Sequence, residues 1–150
     1  MTSRKLIKTV SFPARSKPHM LRVSPDGNEV WVQTAEADTN VVLSADNLSV
    51  LSTQPTGKSP VTNAWTPDRR YSIVTNGRDT VAQIFDARTF KEVKRLTIGQ
   101  GGSNVGFSKD GKTAFIAVTG ANTVAVIDVQ QLALASRIKA GKEPQGLIVR

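Results

Sequence analysis

The residues of this chain that could carry chemistry are few and lie far apart in sequence. The 150 residues include one histidine, His19, two tryptophans, Trp31 and Trp65, and no cysteine. The lack of cysteine excludes disulfides, thiolate metal sites and cysteine nucleophiles. The chain has no H-E-x-x-H zinc motif and no G-x-S-x-G nucleophile elbow. The sequence therefore predicts no catalytic centre, and the remaining candidates are binding residues.

Basic residues are concentrated at the start of the chain. The net charge of +8 and the isoelectric point of about 10.2 favour contact with nucleic acid, anionic lipid or an acidic partner. Two interpretations stay open: a face that binds nucleic acid or another anion, with steep salt dependence, or a solvated face that keeps the protein soluble. Six basic residues precede the first acidic one, Asp26, and they are Arg4, Lys5, Lys8, Arg15, Lys17 and Arg22.

Three aspartates recur in similar short turns. "SPDG" spans residues 24–27, and "TPDR" and "SKDG" follow at intervals of 42 residues. Ser or Thr at the first position, Pro at the second and Gly at the fourth suit a type I turn. Asp26, Asp68 and Asp110 are therefore predicted to stabilise turns, since a calcium site would need several carboxylates that converge.

The 42-residue interval extends beyond these turns and predicts the fold. Gly57 matches Gly99 and Gly141, and Asp86 matches Asp128. Periods of about 40–50 residues are typical of propeller blades and of paired-helix repeats. The runs between turns are rich in β-branched and aromatic residues, which favours strands. Predicted strands include 29–34, 71–76, 103–107, 113–118, 123–128 and 134–140. The predicted class is all-β, with four-stranded antiparallel blades of a β-propeller.

The repeat also predicts how the chain is divided. Residues 1–17 should carry the last strand of a preceding blade, at 5–12, and residues 144–150 the first strand of a following one, at 145–150. Between them lie three whole blades, 18–59, 60–101 and 102–143. About three and a half blades cannot close into a ring, so we expect the remaining blades of a larger propeller, or a second chain, as partner.

These blades resemble the YVTN β-propeller repeat family. The resemblance rests on "PHMLRVSPDGNEVWVQT" (18–34), on "YSIVTN" (71–76) and on the third copy, with its "TVAVID" (123–128). The chain departs from the family pattern at four positions. Arg69 replaces the turn glycine, Lys109 the turn proline and Ser44 the aspartate at the end of the third strand, and Pro55 interrupts the fourth strand of the first blade. The resemblance covers nearly the whole chain and implies a propeller, whereas function varies among such proteins.

Three functions are compatible with this resemblance. The first is a non-enzymatic binding or scaffolding module that presents rim loops to a protein or small ligand, with no cofactor. The second is a redox propeller of the haem d1 or amine-dehydrogenase type. The third is nucleic-acid or anionic-surface binding through the basic N-terminal residues. The resemblance implies the periplasm or the cell surface. The N-terminus, however, lacks the pattern of a signal peptide, and no apolar run is long enough to predict a transmembrane helix.

His19 and the two tryptophans are the remaining candidate site residues. His19 precedes the first strand of a blade, and in the d1-haem relatives channel-facing histidines ligate iron. The alternative is an exposed loop histidine, because Val61, Ser103 and Gln145 at the equivalent positions are not strong ligands. Trp31 and Trp65 could stack on a ligand. The core is favoured for Trp31 by the alternation of its strand, and for Trp65 by apolar residues at the equivalent positions Val23, Phe107 and Val149.

Overall fold

The structure is a computed structural model that describes residues 5, 6 and 8–149. This part of the chain is all-β and forms three four-stranded antiparallel sheets. It contains one three-residue 3₁₀ turn, Thr119–Ala121, and no helix long and apolar enough to span a membrane. The first sheet comprises β1 (Pro18–Val23), β2 (Glu29–Thr34), β3 (Thr39–Ser44) and β4 (Val50–Pro55). The second comprises β5 (Pro60–Trp65), β6 (Tyr71–Asn76), β7 (Val81–Asp86) and β8 (Glu92–Thr97), and the third comprises β9 (Gly102–Phe107), β10 (Thr113–Val118), β11 (Thr123–Asp128) and β12 (Ala133–Lys139).

The prediction of a propeller segment is confirmed. In each sheet every strand pairs with the next along the chain, so each sheet is a meander and forms one blade. Strands 29–34, 71–76, 113–118 and 123–128 have the predicted bounds. In the third blade β9 begins one residue early and β12 lies one residue earlier than predicted. Pro55 ends β4 and does not interrupt it, because its missing N–H is tolerated at the end of an outer strand.

Alternate residues of the middle strands face the two neighbouring blades, and this alternation builds the core. Trp31 and Val42 of the first blade pack on Val74 and Phe85 of the second. The adjacent positions of the second blade, among them Ile73, face the third blade and its buried residues. We call the side of a blade that packs on the next blade along the chain its following face, and the side that packs on the blade before it its preceding face. Side chains from two blades fill each interface, so no blade has a complete core alone.

The segments on either side of the three blades are not strands in the described residues. Within 5–12, Val10 and Phe12 pack on the preceding face of the first blade, against Val32, Val41 and Leu43. Residues 145–149 lie along β9, where Ser103 Oγ donates to Gln145 O at 3.1 Å. The strands predicted at 5–12 and 145–150 stay predictions, because residues 7 and 150 lie outside the described residues and no strand of a neighbouring blade lies beside these segments in the described part of the chain. A strand needs a hydrogen-bonded neighbour, and for these two segments that neighbour would be a strand of an adjoining blade.

The three aspartate turns confirm the predicted role of their carboxylates. Asp26 Oδ1 accepts from Ser24 Oγ at 2.6 Å and from the backbone N–H of Asn28 at 3.2 Å. Asp68 and Asp110 make the same pair of bonds in the next two blades. These bonds stabilise the charged carboxylate, the hydroxyl most and the backbone N–H next, and hold the pKa of all three aspartates below the usual 3.8.

The lowered pKa values predict acid-sensitive stability. A carboxyl with a depressed folded pKa stabilises the fold above its unfolded pKa and loses that contribution as the pH falls through the folded value. We therefore expect the free energy of unfolding to decline below about pH 4, near the ordinary pKa of 3.8. In the triple variant Asp26→Asn, Asp68→Asn, Asp110→Asn this decline should be shallower, because an amide oxygen accepts the same bonds without titrating. Urea unfolding between pH 2.5 and 7 measures it.

The exposed Asp46→Asn serves as the control for this prediction. It should leave the acid decline unchanged. If the triple variant and wild type lose stability with the same pH dependence, the turn aspartates are not a source of the acid sensitivity.

Candidate functional site

Backbone hydrogen bonds define two rims, where propeller loops are available to ligands. The turns between first and second strands lie beside those between third and fourth strands, as in the bond from Ala45 N to Asn28 O at 2.8 Å. At the opposite end, the hairpins between second and third strands lie beside the connections between blades, as in the bond from Thr56 N to Asp38 O at 2.8 Å. We call these ends the turn rim and the crossover rim. Because the bonds recur in successive blades, backbone hydrogen bonds position the loops of both rims on the scaffold of strands.

The first strands β1, β5 and β9 are neighbours on the inner side of the segment, and each contains an irregularity near its start. The register of β1 with β2 shifts at His19, and that of β5 with β6 shifts at Val61. The register of β9 with β10 shifts over the corresponding stretch around Ser103. Such bulges redirect side chains and are frequent beside functional sites. The crossover-rim end of the inner surface is thus lined by one redirected residue from each blade.

His19 is exposed at this position and bonds to the next blade. Its Nδ1 lies 3.1 Å from Val61 O, and the ring can donate there if Nδ1 carries the proton. Ser103 Oγ makes the equivalent contact with Gln145 O. A histidine whose Nδ1–H is bonded to a backbone carbonyl presents Nε2 as a free acceptor, which is the arrangement of many metal-binding histidines. The described residues contain no group of three or more His, Cys, Asp or Glu side chains placed to hold a metal ion.

Three of the basic N-terminal residues that the structure describes make contacts at different parts of the segment. Lys8 Nζ donates to Asn47 O on the turn rim. Lys17 pairs with Glu36 at 3.3 Å on the crossover rim, and Arg22 Nε donates to Thr62 Oγ1 on the inner surface. Lys5 and Arg15 are exposed, and Arg4 lies outside the described residues.

The turn rim carries a groove between the first and second blades, which we call the first groove. Its cavity of about 350 Å³ is lined by Trp65, three acidic and two basic side chains, namely Asp26, Glu29, Asp68, Arg69 and Arg88, together with Ser24, Pro25 and Ala87. Trp65 is partly buried and meets Trp31 edge to face, with ring centroids 5.6 Å apart. In such a cavity, convergent charged groups beside an aromatic ring can fix the orientation of a small polar ligand.

Glu29 is the most buried charge of the first groove. Its Oε2 accepts from Trp31 Nε1 at 2.8 Å. Burial raises the pKa of this carboxyl above 4.5, the Trp31 bond opposes the rise, and the Asp26 carboxylate adds to it. Arg69 Nη1 lies 4.0 Å from Asp26 Oδ2 at the edge of the groove. Both signs of charge are therefore held within one cavity.

The repeat produces a second groove between the second and third blades, with a different lining. Its cavity is about 380 Å³ and includes Tyr71, Gly111 and Gln130. These residues occupy the positions of Glu29, Arg69 and Arg88. The first groove therefore carries three charged side chains that the repeat itself does not require.

Sequence reasoning missed the first groove. It assigned Trp65 to the core, whereas the ring is only partly buried and its outer side lines the cavity. The available signal was a comparison of aligned repeats for charge, because Glu29 stands where the other copies have Tyr71 and Thr113. Trp31 is fully buried, so its assignment to the core is confirmed.

The meander blades, their stacked faces and the two loop rims define a segment of a β-propeller. Solved structures agree. The chain aligns over 95% of its length with hydrazine synthase from Kuenenia stuttgartiensis, at a TM-score of 0.82 and 23% identity. It aligns over 81% of its length with a dihydro-haem d1 dehydrogenase, at a TM-score of 0.71 and 18% identity. It aligns over 93% with a structure described as a 6-phosphogluconolactonase from Bacteroides uniformis, at a TM-score of 0.80 and 19% identity.

The likeness to these proteins establishes the fold and leaves function open, because identities at this level occur between propellers of different activity. The chain spans 41%, 28% and 45% of the lengths of these three structures. No protein-family model matches the chain, and no curated protein sequence matches it.

Proposed function

We propose that the protein is a non-enzymatic binding propeller of the YVTN repeat type, which presents rim loops and inter-blade grooves to a ligand or partner. The observation that carries this proposal is the first groove, where Trp65, Glu29 and Arg69 line one cavity on a rigid rim. Rigid loops bind with little ordering cost, so a small set of side chains can hold a ligand.

An amide-resolved NMR titration tests this proposal. Separate mixtures of L-amino acids, monosaccharides and nucleotides are added to the whole chain. At least one mixture should shift a compact group of amides on the turn rim, around Glu29, Arg69 and Arg88, and leave the outer strands β4, β8 and β12 unchanged. Shifts that are absent with every mixture, or spread evenly over all blades, would contradict a rim-binding function.

A second candidate is a cofactor-bearing redox propeller of the haem d1 type. One observation favours it: the ring of His19 lies with Nδ1 3.1 Å from Val61 O, which would leave Nε2 free to bind a haem iron. A dihydro-haem d1 dehydrogenase is also among the structures with this fold. When bound, a haem would supply the redox chemistry, and His19 would hold its iron. The periplasm or cell surface would suit either candidate.

The same titration with haem separates the two candidates. If the redox candidate holds, haem should give a saturable Soret-band change that the variant His19→Ala removes, with amide shifts at the start of β1. A haem spectrum that is identical for wild type and His19→Ala would exclude His19 as a ligand and favour the rim-binding proposal.

The partner expected beside the third blade is a further blade of the same repeat. The following face of this blade carries Phe115, Val124 and Val126, which are partly exposed, and Ile138, which is 52% exposed. In the second blade the equivalent residues Ile73, Ala82, Ile84 and Leu96 are all buried against the next blade. Residues 147–149 cover part of this surface, and a Cβ on Gly106 would lie 2.6 Å from Leu147 Cδ1. The surface has the composition of a blade interface, and a second chain or additional blades would supply its complement.

A further inference from the structure

The first groove differs from the second at the three positions where a ligand would meet charge. Glu29 replaces the tyrosine of the second groove, Arg69 replaces its glycine, and Arg88 replaces its glutamine. Both grooves have a similar size and the same backbone frame. This set of charges is therefore specific to the first groove, because the second groove is lined by other charged residues, Asp68, Arg70, Asp110 and Lys112.

Arg69 occupies a backbone conformation that favours glycine. Its φ is 60°, and the equivalent residues Gly27 and Gly111 have φ of 79° and 71°. The side chain of Arg69 extends from this turn toward Asp26, at the edge of the cavity. A long cation at a glycine position of a rim turn places a guanidinium over the groove, where a ligand carboxylate can reach it.

Glu29 enters the first groove from β2 of the first blade, and Arg69 and Arg88 enter it from turns of the second blade. Trp31 holds Oε2 of Glu29, and the described residues donate no hydrogen bond to Oε1. This oxygen can accept from an ammonium group, while Arg69 and Arg88 can donate to a carboxylate. Trp65 adds an apolar surface to the same cavity.

We infer that the first groove binds a small zwitterion of the α-amino acid class, with its ammonium group at Glu29, its carboxylate at Arg69 and Arg88, and its side chain on Trp65. A cavity of about 350 Å³ lies within the size range of small-molecule sites. The inference rests on the proposed rim-binding function and specifies its ligand.

Tryptophan fluorescence provides a local measurement of this binding. Trp31 and Trp65 are the only tryptophans of the chain; Trp65 lines the first groove, and the buried Trp31 contacts its ring edge to face. The whole protein is titrated with L-phenylalanine, and separately with phenethylamine and 3-phenylpropionate, each of which keeps one of the two charges. Excitation at a wavelength where only tryptophan absorbs isolates the protein signal. Phenylalanine should bind at least about tenfold more tightly than either analogue, since each lacks one charged contact.

Single variants test which group of the ligand each charged side chain binds, and the two arginine variants introduce the residue that the second groove has at that position. Arg69→Gly and Arg88→Gln should each weaken phenylalanine binding by about tenfold and leave phenethylamine binding within twofold, since the amine lacks a carboxylate. Glu29→Gln, whose amide oxygen can still accept from Trp31, should weaken phenylalanine and phenethylamine and spare 3-phenylpropionate. Gln130→Ala in the second groove is the matched control and should leave all three affinities within twofold.

Equal affinity for the zwitterion and both analogues would overturn the inference, and so would phenylalanine binding that Arg69→Gly leaves unchanged. If the NMR titration then still shows another mixture bound on the turn rim, the rim-binding proposal stands and only the ligand class is wrong. If no mixture shifts the rim, both are wrong.

Discussion

The variant Trp31→Ala should lower the free energy of unfolding by about 3–5 kcal/mol, which is the usual cost of removing a large aromatic side chain from a core. Trp31 is fully buried at the interface of the first and second blades. Its ring meets Trp65, Phe85 and Phe90 edge to face, at centroid distances of 5.6, 6.3 and 6.0 Å. Urea unfolding followed by far-UV circular dichroism measures the loss.

The variant Trp31→Phe separates packing from hydrogen bonding. It keeps an aromatic ring in the interface but removes the N–H that donates to Glu29. A loss of about 1–3 kcal/mol is expected for a partly buried carboxylate that loses its donor. If the two variants lose the same stability, ring packing is not the main contribution of Trp31. Because the side chain joins two blades, Trp31→Ala should also reduce the cooperativity of unfolding.

The blade architecture could be predicted from sequence because it depends on local chemistry that recurs. The "SPDG", "TPDR" and "SKDG" turns set the period, and alternating β-branched residues between them predicted strands of the three blades to within one residue of their bounds. The residues that depart from the repeat pattern are also accommodated within single turns. Arg69 takes the positive φ of the glycine it replaces, and Lys109 is tolerated in place of proline at an exposed turn position.

The polar interior could not be predicted in this way. Gln83 is fully buried although the equivalent residues, Val41 and Ala125, are apolar. Its Oε1 accepts from the backbone N–H of Gly57 at 2.7 Å, and its Nε2 donates to Glu92 at 2.6 Å. A buried N–H in the connection between two blades needs an acceptor, and this need arises only when the blades are stacked. The sequence around Gln83 carries no sign of it.

The first groove escaped prediction for a related reason. Glu29 and Arg69 belong to different blades, and 40 residues of sequence separate them. Their proximity follows from the stacking of two repeats and not from any spacing within one. Contacts between neighbouring blades nevertheless recur along the chain. The contact of His19 with Val61 O is repeated by that of Ser103 with Gln145 O, and each joins residues 42 positions apart. A repeat protein can therefore be searched for sites by comparing the same groove in successive copies.

The matched pair Leu96→Asp and Ile138→Asp should have very different effects on stability. The two residues occupy the same repeat position, but Leu96 is 8% exposed between the second and third blades and Ile138 is 52% exposed on the third. Leu96→Asp buries an unpaired carboxylate and should cost more than about 3 kcal/mol. Ile138→Asp should change the stability of the chain by less than about 1 kcal/mol, as surface substitutions usually do.

Sedimentation equilibrium of the same variants then tests whether a second chain covers the following face of the third blade. If two copies associate through this face, dilution of wild type should shift it from dimer to monomer, and Ile138→Asp should remain monomeric over the same range. Val93→Asp, at an exposed position on the outer strand of the second blade, is the control and should associate like wild type. A wild type that stays monomeric, with Ile138→Asp as stable as wild type, would contradict pairing with a second copy and favour additional blades as the complement. An Ile138→Asp variant as unstable as Leu96→Asp would show that this face is already buried within the chain, and no further blade would then be needed.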